Sequence, residues 1–391
     1  MDSRRVVIMV LDSVGIGDLP DAHLYDSEGS NTLANTARAV GGLSLPHLGE
    51  MGLGNIHPIL GVSAGVQATG AFGKMAERSP GKDTITGHWE MAGIVLEHPF
   101  VTFPQGFPAD FLHAYEKEIG RAVLGNKVAS GTEIIKELGA EHIATGKPIV
   151  YTSADSVFQV AAHEEIIPLE DLYRICQVAR EMLVGPLNVA RVIARPFVGT
   201  APDNFQRTPN RHDFAVLPPD KILHQYLAEA GWEVMAVGKI KDIYHGLGIT
   251  QHRPVKSNMD AVDQLLWFLD QGTPGLIMAN LVDFDMVYGH RNNAAGYAHA
   301  LEEVDARMQE ILARLRQDDL LFISADHGCD PTTSSTDHSR EYVPLLVWGE
   351  SVRANVNLGI RSSFADLGAT AAELLGVTLP VGESFLKEIV K

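Results

Sequence analysis

Strand-like apolar runs at 6–11, 232–237, 275–282, 320–325 and 343–348 alternate with stretches of helical periodicity. Runs of that length, apolar almost throughout, predict strands buried on both faces. Their alternation with helices predicts a mostly parallel α/β sheet with helices on both faces. The clearest helix is expected over 299–316. Leu301, Val304, Met308, Ile311, Leu312 and Leu315 recur there at three- and four-residue spacing, while Glu302, Glu303, Arg307, Glu310 and Arg314 face outward.

Between about 99 and 214 the pattern changes to short helices and strand-like pieces at 148–152, 157–161 and 189–198, with a candidate capping box at Ser130 to Glu133. Pro99, Pro104 and Pro108 mark one junction and Leu217-Pro218-Pro219 the other. This predicts a discontinuous core, 1–98 and 215–391, with a smaller α+β cap inserted at 99–214.

Three of the apolar runs end in the same chemistry. The first is followed by Asp12, the third by Asp283-Phe284-Asp285 with His290 beyond, and the fourth by Asp326-His327 with His338 after a short loop. An isolated Asp at a strand end is usually a turn former or helix cap, and a lone His is usually a hydrogen-bonded structural residue. Ligand sites of open α/β sheets lie at strand ends, and three runs that close alike are poorly explained by capping. Asp12, Asp285, His290, Asp326, His327 and His338 are therefore candidate ligands for two divalent ions. Without cysteine ligands, that mixed carboxylate and imidazole set suits Mn²⁺ or Zn²⁺, and its carboxylate share leans toward Mn²⁺.

Two metals need a group to activate. Lys82-Asp83-Thr84-Ile85-Thr86-Gly87-His88-Trp89-Glu90 is polar for a segment containing Trp, and Thr84 or Thr86 at a helix start could serve as a metal-activated nucleophile or as an N-cap. Amides at that helix start could receive phosphate oxygens. Gly15-x-Gly17 lacks the third glycine of a dinucleotide fingerprint and is set aside.

With 391 residues, 45% of them hydrophobic, the chain can bury a large core. The net charge of −18, from 31 basic and 49 acidic residues, argues against nucleic acid as a partner but not against small phosphorylated substrates. Two cysteines, Cys176 and Cys329, are too few for a disulfide framework. No run approaches a membrane span and no leader pattern opens the chain, so a cytoplasmic protein is expected.

Asp12-Ser-Val-Gly-Ile-Gly-Asp, Lys-Asp-Thr84-Ile-Thr-Gly-His-Trp-Glu, Asp285-Met-Val-Tyr-Gly-His290-Arg-Asn, Asp326-His327-Gly-Cys-Asp and Thr-Asp-His338-Ser-Arg-Glu-Tyr together resemble the bacterial phosphopentomutases of the alkaline phosphatase superfamily. The likeness spans essentially the whole chain. It implies transfer of phosphate between C1 and C5 of ribose or 2-deoxyribose, linking nucleoside breakdown to pentose metabolism. Asp12, Asp326 and His327 would hold one Mn²⁺, and Asp285, His290 and His338 the other. Thr84 would carry a phosphoryl group loaded from a sugar bisphosphate such as glucose 1,6-bisphosphate. The cap would keep water from that group.

Tyr151-Thr-Ser153-Ala-Asp155-Ser-Val157 is similar to the family's sugar-contacting segment, with Asp155 accepting from ribose hydroxyls; a turn between two strands is the alternative. Arg191, Arg207 and Lys239 are candidates for the remote phosphate, with Arg211 as a substitute for Arg207; otherwise they are solvated surface charges. A metal-dependent sugar phosphatase or a cofactor-independent phosphoglycerate mutase would use the same metal core. The latter family has a Ser nucleophile and a longer chain. A non-catalytic sugar-phosphate binder would not need Thr84.

Overall fold

Arg5–Leu11 is buried along its whole length, and so are Gly275–Leu281 and Leu320–Ser324. A computed structural model describing residues 3–153 and 156–391 pairs these three side by side and parallel, with Arg5–Leu11 in the middle. Val10 stands opposite both Asn280 and Ser324. The chain therefore leaves all three strands at one level, and Asp12, Asp285 and Asp326 follow just beyond.

The described chain divides into two compact units, Met1–Pro99 with Pro218–Lys391, and Phe100–Leu217. The larger carries an eight-stranded sheet in the order 251–253, 233–237, 275–281, 5–11, 320–324, 343–348, 71–75, 356–361. All its pairings are parallel except the two made by Val343–Trp348, which runs against both neighbours. The smaller unit has a mixed sheet in the order 124–128, 149–152, 157–163, 191–198, 206–207, with 212–215 also paired to 191–198. That last pairing ties residues up to 215 into the smaller unit and moves its end past the expected 214 to the Pro218-Pro219 junction.

In the smaller unit, alternate residues of each strand face opposite sides. Val150, Phe158 and Val160 pack with Ala109–Ile119 and Leu169–Met182, whereas Ile149, Tyr151 and Ala161 pack with Gly131–Thr145. The capping box expected at Ser130 to Glu133 does not form. Ser130 occupies the N-cap without a side-chain cap, its hydroxyl lying 2.9 Å from Thr132 Oγ1, while Glu133 pairs with Lys136.

The long helix of the larger unit runs Ala294–Leu312, earlier than the expected 299–316. Asn293 starts it by accepting from Gly296 N at 2.9 Å. Its end is set by a buried ion pair: Arg316 N donates to Asp319 Oδ2 at 2.8 Å and Arg5 Nε to the same oxygen at 2.9 Å, drawing the chain into a turn. Arg5 also donates to Leu269 O at 2.7 Å and Arg314 O at 3.0 Å. Both members of the pair are fully buried, and removing one leaves an uncompensated charge in the core. Asp319→Ala should therefore cost about 3–5 kcal/mol of stability; a chemical-denaturation midpoint equal to wild type would contradict this.

Candidate active site

The three strand ends assemble one cluster. Atoms of Asp12, Asp326 and His327 that can ligate lie within 4.8 Å of one another, as do those of Asp285, His327 and His338, so His327 joins two candidate cation positions. His327 Nε2 is 3.5 Å from Asp12 Oδ1 and 3.4 Å from Asp326 Oδ2. His338 Nε2 is 3.2 Å from Asp285 Oδ1, and His290 Nε2 is 3.1 Å from Asp285 Oδ2 and 3.1 Å from His338 Nε2.

Outer contacts aim these groups. His290 Nδ1 faces the Thr336 carbonyl at 2.6 Å and His327 Nδ1 the Gly328 carbonyl at 3.0 Å, which leaves both Nε2 atoms turned inward. Asn280 Nδ2 donates to Asp12 Oδ2 at 2.9 Å, and Ser13 N to Asp326 Oδ1 at 3.0 Å. Ser13 adopts φ 71°, a left-handed conformation that costs energy for a residue with a side chain, and its hydroxyl lies 3.1 Å from Tyr297 Oη.

Charge in this cluster is unbalanced. Burial, then the carboxylates of Asp326 and Asp285, raise the pKa of Asp12 well above the usual range. Burial works on Asp285 in the same direction, but His338 and His290 overcome it and hold that carboxyl well below. Asp12 Oδ1 is buried without a hydrogen-bond partner, while Asp285 Oδ1 and Asp326 Oδ2 face only imidazole nitrogens, His338 Nε2 at 3.2 Å and His88 Nδ1 at 3.1 Å. Carboxylate oxygens so placed are what a hard divalent cation satisfies, so the residues present fit such ions.

Cys329 also falls within 4.8 Å of Asp285 and His290 ligand atoms, a neighbour that the sequence reading did not count among the ligands. Burial, then surrounding carboxylates, push its thiol pKa upward, and Sγ lies 3.6 Å from the Asp337 carbonyl. Carboxylate and imidazole donors are the set that suits a hard divalent cation, and the softer sulfur of Cys329 stands beside it.

Thr84 opens the Thr84–Met91 helix, with Oγ1 3.2 Å from His327 Nε2. The N-cap is Asp83 rather than either threonine: its Oδ1 accepts from Ile85 N at 3.0 Å and Thr86 N at 3.1 Å. Those two amides, offered above as phosphate donors, are thus already engaged. Thr86 Oγ1 donates to Asp83 Oδ2 at 2.6 Å, which leaves Thr84 as the hydroxyl facing the cluster. His88 Nδ1 bonds to the Thr84 carbonyl at 2.9 Å and lies 3.1 Å from Asp326 Oδ2, touching Thr84 and the cluster together.

The remaining candidates separate. Lys239 belongs to the larger unit, where its charge acts on Asp12 and Nζ lies 4.0 Å from Met286 Sδ. Ser153, Val157, Arg191, Arg207 and Arg211 line a concavity of about 420 Å³ in the smaller unit, together with Arg195, which the sequence reading missed. Arg211 is held by Asp213 through two 2.6 Å bonds and Arg195 Nε donates to Gln159 Oε1 at 3.1 Å. Among the described residues no carboxylate pairs with Arg207. Asp155 lies outside the described residues.

Residues 4–379 match the profile of the Metalloenzyme superfamily. The chain is 65% identical over 388 residues to the phosphopentomutase of Desulfitobacterium hafniense, covering 99% of this chain and 100% of that one. It is 60% identical to the phosphopentomutase of Carboxydothermus hydrogenoformans over the same shares. Among solved structures, a phosphoglycerate mutase from Leishmania mexicana shares the fold at 14% identity, with 96% of each chain covered and a TM-score of 0.50. The chain belongs to the phosphopentomutase family.

Gly87 lets the Thr84–Met91 helix meet the cluster. A Cβ there would overlap the Asp326 carbonyl oxygen and come within 2.8 Å of its carbon, both backbone atoms that cannot swing aside. Gly87→Ala should cost about 1–3 kcal/mol and reduce bound divalent metal after dialysis, measured by elemental analysis beside a thermal melt. Full metal content with an unchanged melt would refute the close approach.

Proposed function

We propose that this chain moves phosphate between C1 and C5 of ribose and 2-deoxyribose by way of a phosphorylated Thr84 and a sugar bisphosphate intermediate. The observation that carries the reading is the Thr84 hydroxyl, 3.2 Å from the His327 imidazole that links the two candidate cation positions. Asp12, Asp326 and His327 are assigned to one Mn²⁺ and Asp285, His290 and His338 to the other. Bound divalent ions would neutralise phosphoryl oxygens and make the Thr84 hydroxyl easier to deprotonate.

The residues of the chain divide the remaining work. Thr84, loaded once from glucose 1,6-bisphosphate or a similar sugar bisphosphate, gives its phosphoryl group to the free hydroxyl of the pentose phosphate. The bisphosphate turns, and Thr84 takes back the phosphoryl group from the other end, so phosphorus balances over each cycle. His88 fixes the Thr84 carbonyl, and with it the first turn of the helix that bears the nucleophile. Ser153, Asp155 and Val157 are assigned to the sugar, and Arg191, Arg207 and Lys239 to phosphate. Arg211 is the weaker substitute for Arg207, because Asp213 already neutralises it. The substrates are small pentose phosphates; among the described residues no helix is long and apolar enough to cross a membrane.

Incubation with glucose 1,6-bisphosphate and Mn²⁺ should add one phosphate to the wild-type mass, mapped to Thr84. Thr84→Ala should take up none and lose mutase activity while still binding metal; a variant that still turns over would exclude the covalent route. Metal binding should also depend on pH. With no cation bound, the hydrogen bond that His290 Nε2 donates to Asp285 raises His290 to about 9, so at neutral pH a proton occupies the ligand nitrogen. Apparent Mn²⁺ affinity should fall as pH drops below about 9, with proton release visible by calorimetry in buffers of different ionisation enthalpy. Affinity that stays constant from pH 6 to 9 would remove His290 from the ligand set.

A further inference from the structure

The Gly131–Thr145 helix contains glycine at 131 and again at 139, where alanine would favour the helix by about 0.5–1 kcal/mol each. Neither glycine has positive φ, so backbone freedom does not explain them. Their neighbours do. A Cβ at 139 would come 2.6 Å from Phe205 Cε2; one at 131 would overlap Arg207 Nη2 and Tyr151 Oη and come 2.7 Å from Arg207 Cζ.

Phe205 and Arg207 stand two residues apart where the chain pairs with the end of Arg191–Val198, Arg207 opposite Phe197. In extended chain, side chains two apart leave on the same side. One glycine thus seats the ring and the other the guanidinium. Tyr151 completes the seat: it is fully buried, and its hydroxyl faces the Arg207 guanidinium, which stabilises it by charge and by hydrogen bonding. Ser130, at the helix start, lines the same concavity and provides no side-chain cap.

We propose that Gly131 and Tyr151 are positioning residues for Arg207, holding its guanidinium across the first turn of the helix so that it presents a fixed pair of donors to a substrate phosphate. The inference rests on the assignment of Arg207 to phosphate made above. Arginine gains from such seating because its planar fork binds two phosphate oxygens only when its orientation is set. The seat is too tight for a methyl group at 131, and an ammonium at 207 would not fill it.

The test uses the Mn²⁺-loaded, bisphosphate-primed enzyme with ribose 5-phosphate. Gly131→Ala should raise KM by about tenfold, the loss of one well-aligned charge-assisted bond, with a smaller change in kcat. A purely structural glycine would give an unchanged KM and show the added methyl only as a lower melting temperature. Tyr151→Phe, which keeps the ring, should raise KM about threefold, the loss of part of one such bond. In an Arg207→Lys background, Gly131→Ala should add little further increase, whereas fully additive effects would overturn the inference. Arg207→Ala separates the two levels. A wild-type KM in that variant would sink the phosphate assignment itself, while a raised KM beside unaffected Gly131→Ala and Tyr151→Phe would sink the positioning role alone.

Discussion

Three carboxylates that burial works to keep neutral meet at the ends of three adjacent strands, and much of the larger unit serves to hold them there. Asp12 keeps an oxygen with no hydrogen-bond partner, and Asp285 and Asp326 each turn one toward an imidazole, a state that a protein interior tolerates only where positive charge can be supplied. The parallel register around Arg5–Leu11 sets their spacing. Ser13, in a left-handed conformation, turns an amide toward Asp326, and Asn280 occupies the second oxygen of Asp12. Such neighbours restrict each carboxylate to the orientation a cation would need, which is the usual work of outer contacts in metal centres.

Charge is organised differently in the smaller unit. There, four guanidinium groups share a concavity, and only Asp213 among the described carboxylates is bonded to any of them, by two 2.6 Å bonds to Arg211 and a 3.8 Å approach to Arg191. Burial, then the neighbouring Arg211, lowers the pKa of Arg195, the mirror image of the effect on Asp12. A chain with a net charge of −18 thereby keeps a local positive region in its smaller unit.

Much of this was legible in the sequence because buried parallel strands are apolar throughout and an acid or imidazole at their ends is conspicuous. The strands 71–75, 251–253 and 356–361 were not legible, being short, interrupted by glycine or polar, and placed toward the sheet margins. The reversed direction of Val343–Trp348 leaves no trace in its composition, since a strand buried on both faces looks the same either way. Asp83 as cap in place of a threonine shows a related limit: three good capping residues stand within four positions, and only tertiary contact decides which of them turns outward. Arg195 was legible but overlooked: it stands four residues after Arg191 in a strand, and so on the same face. The start of the long helix was misplaced because apolar spacing was weighed above Asn293, whose side chain begins it.

The central position of Arg5–Leu11 bears on how the chain is made. Its sheet partners begin only at Gly275 and Leu320, so at about 5–20 residues per second this apolar strand emerges from the ribosome roughly 13–50 s before the first of them exists. All pairings of the smaller unit lie within Phe100–Leu217, so that unit has its complete set of partners during the wait. Translation thus leaves a fully buried apolar strand of the larger unit without its sheet partners for most of synthesis.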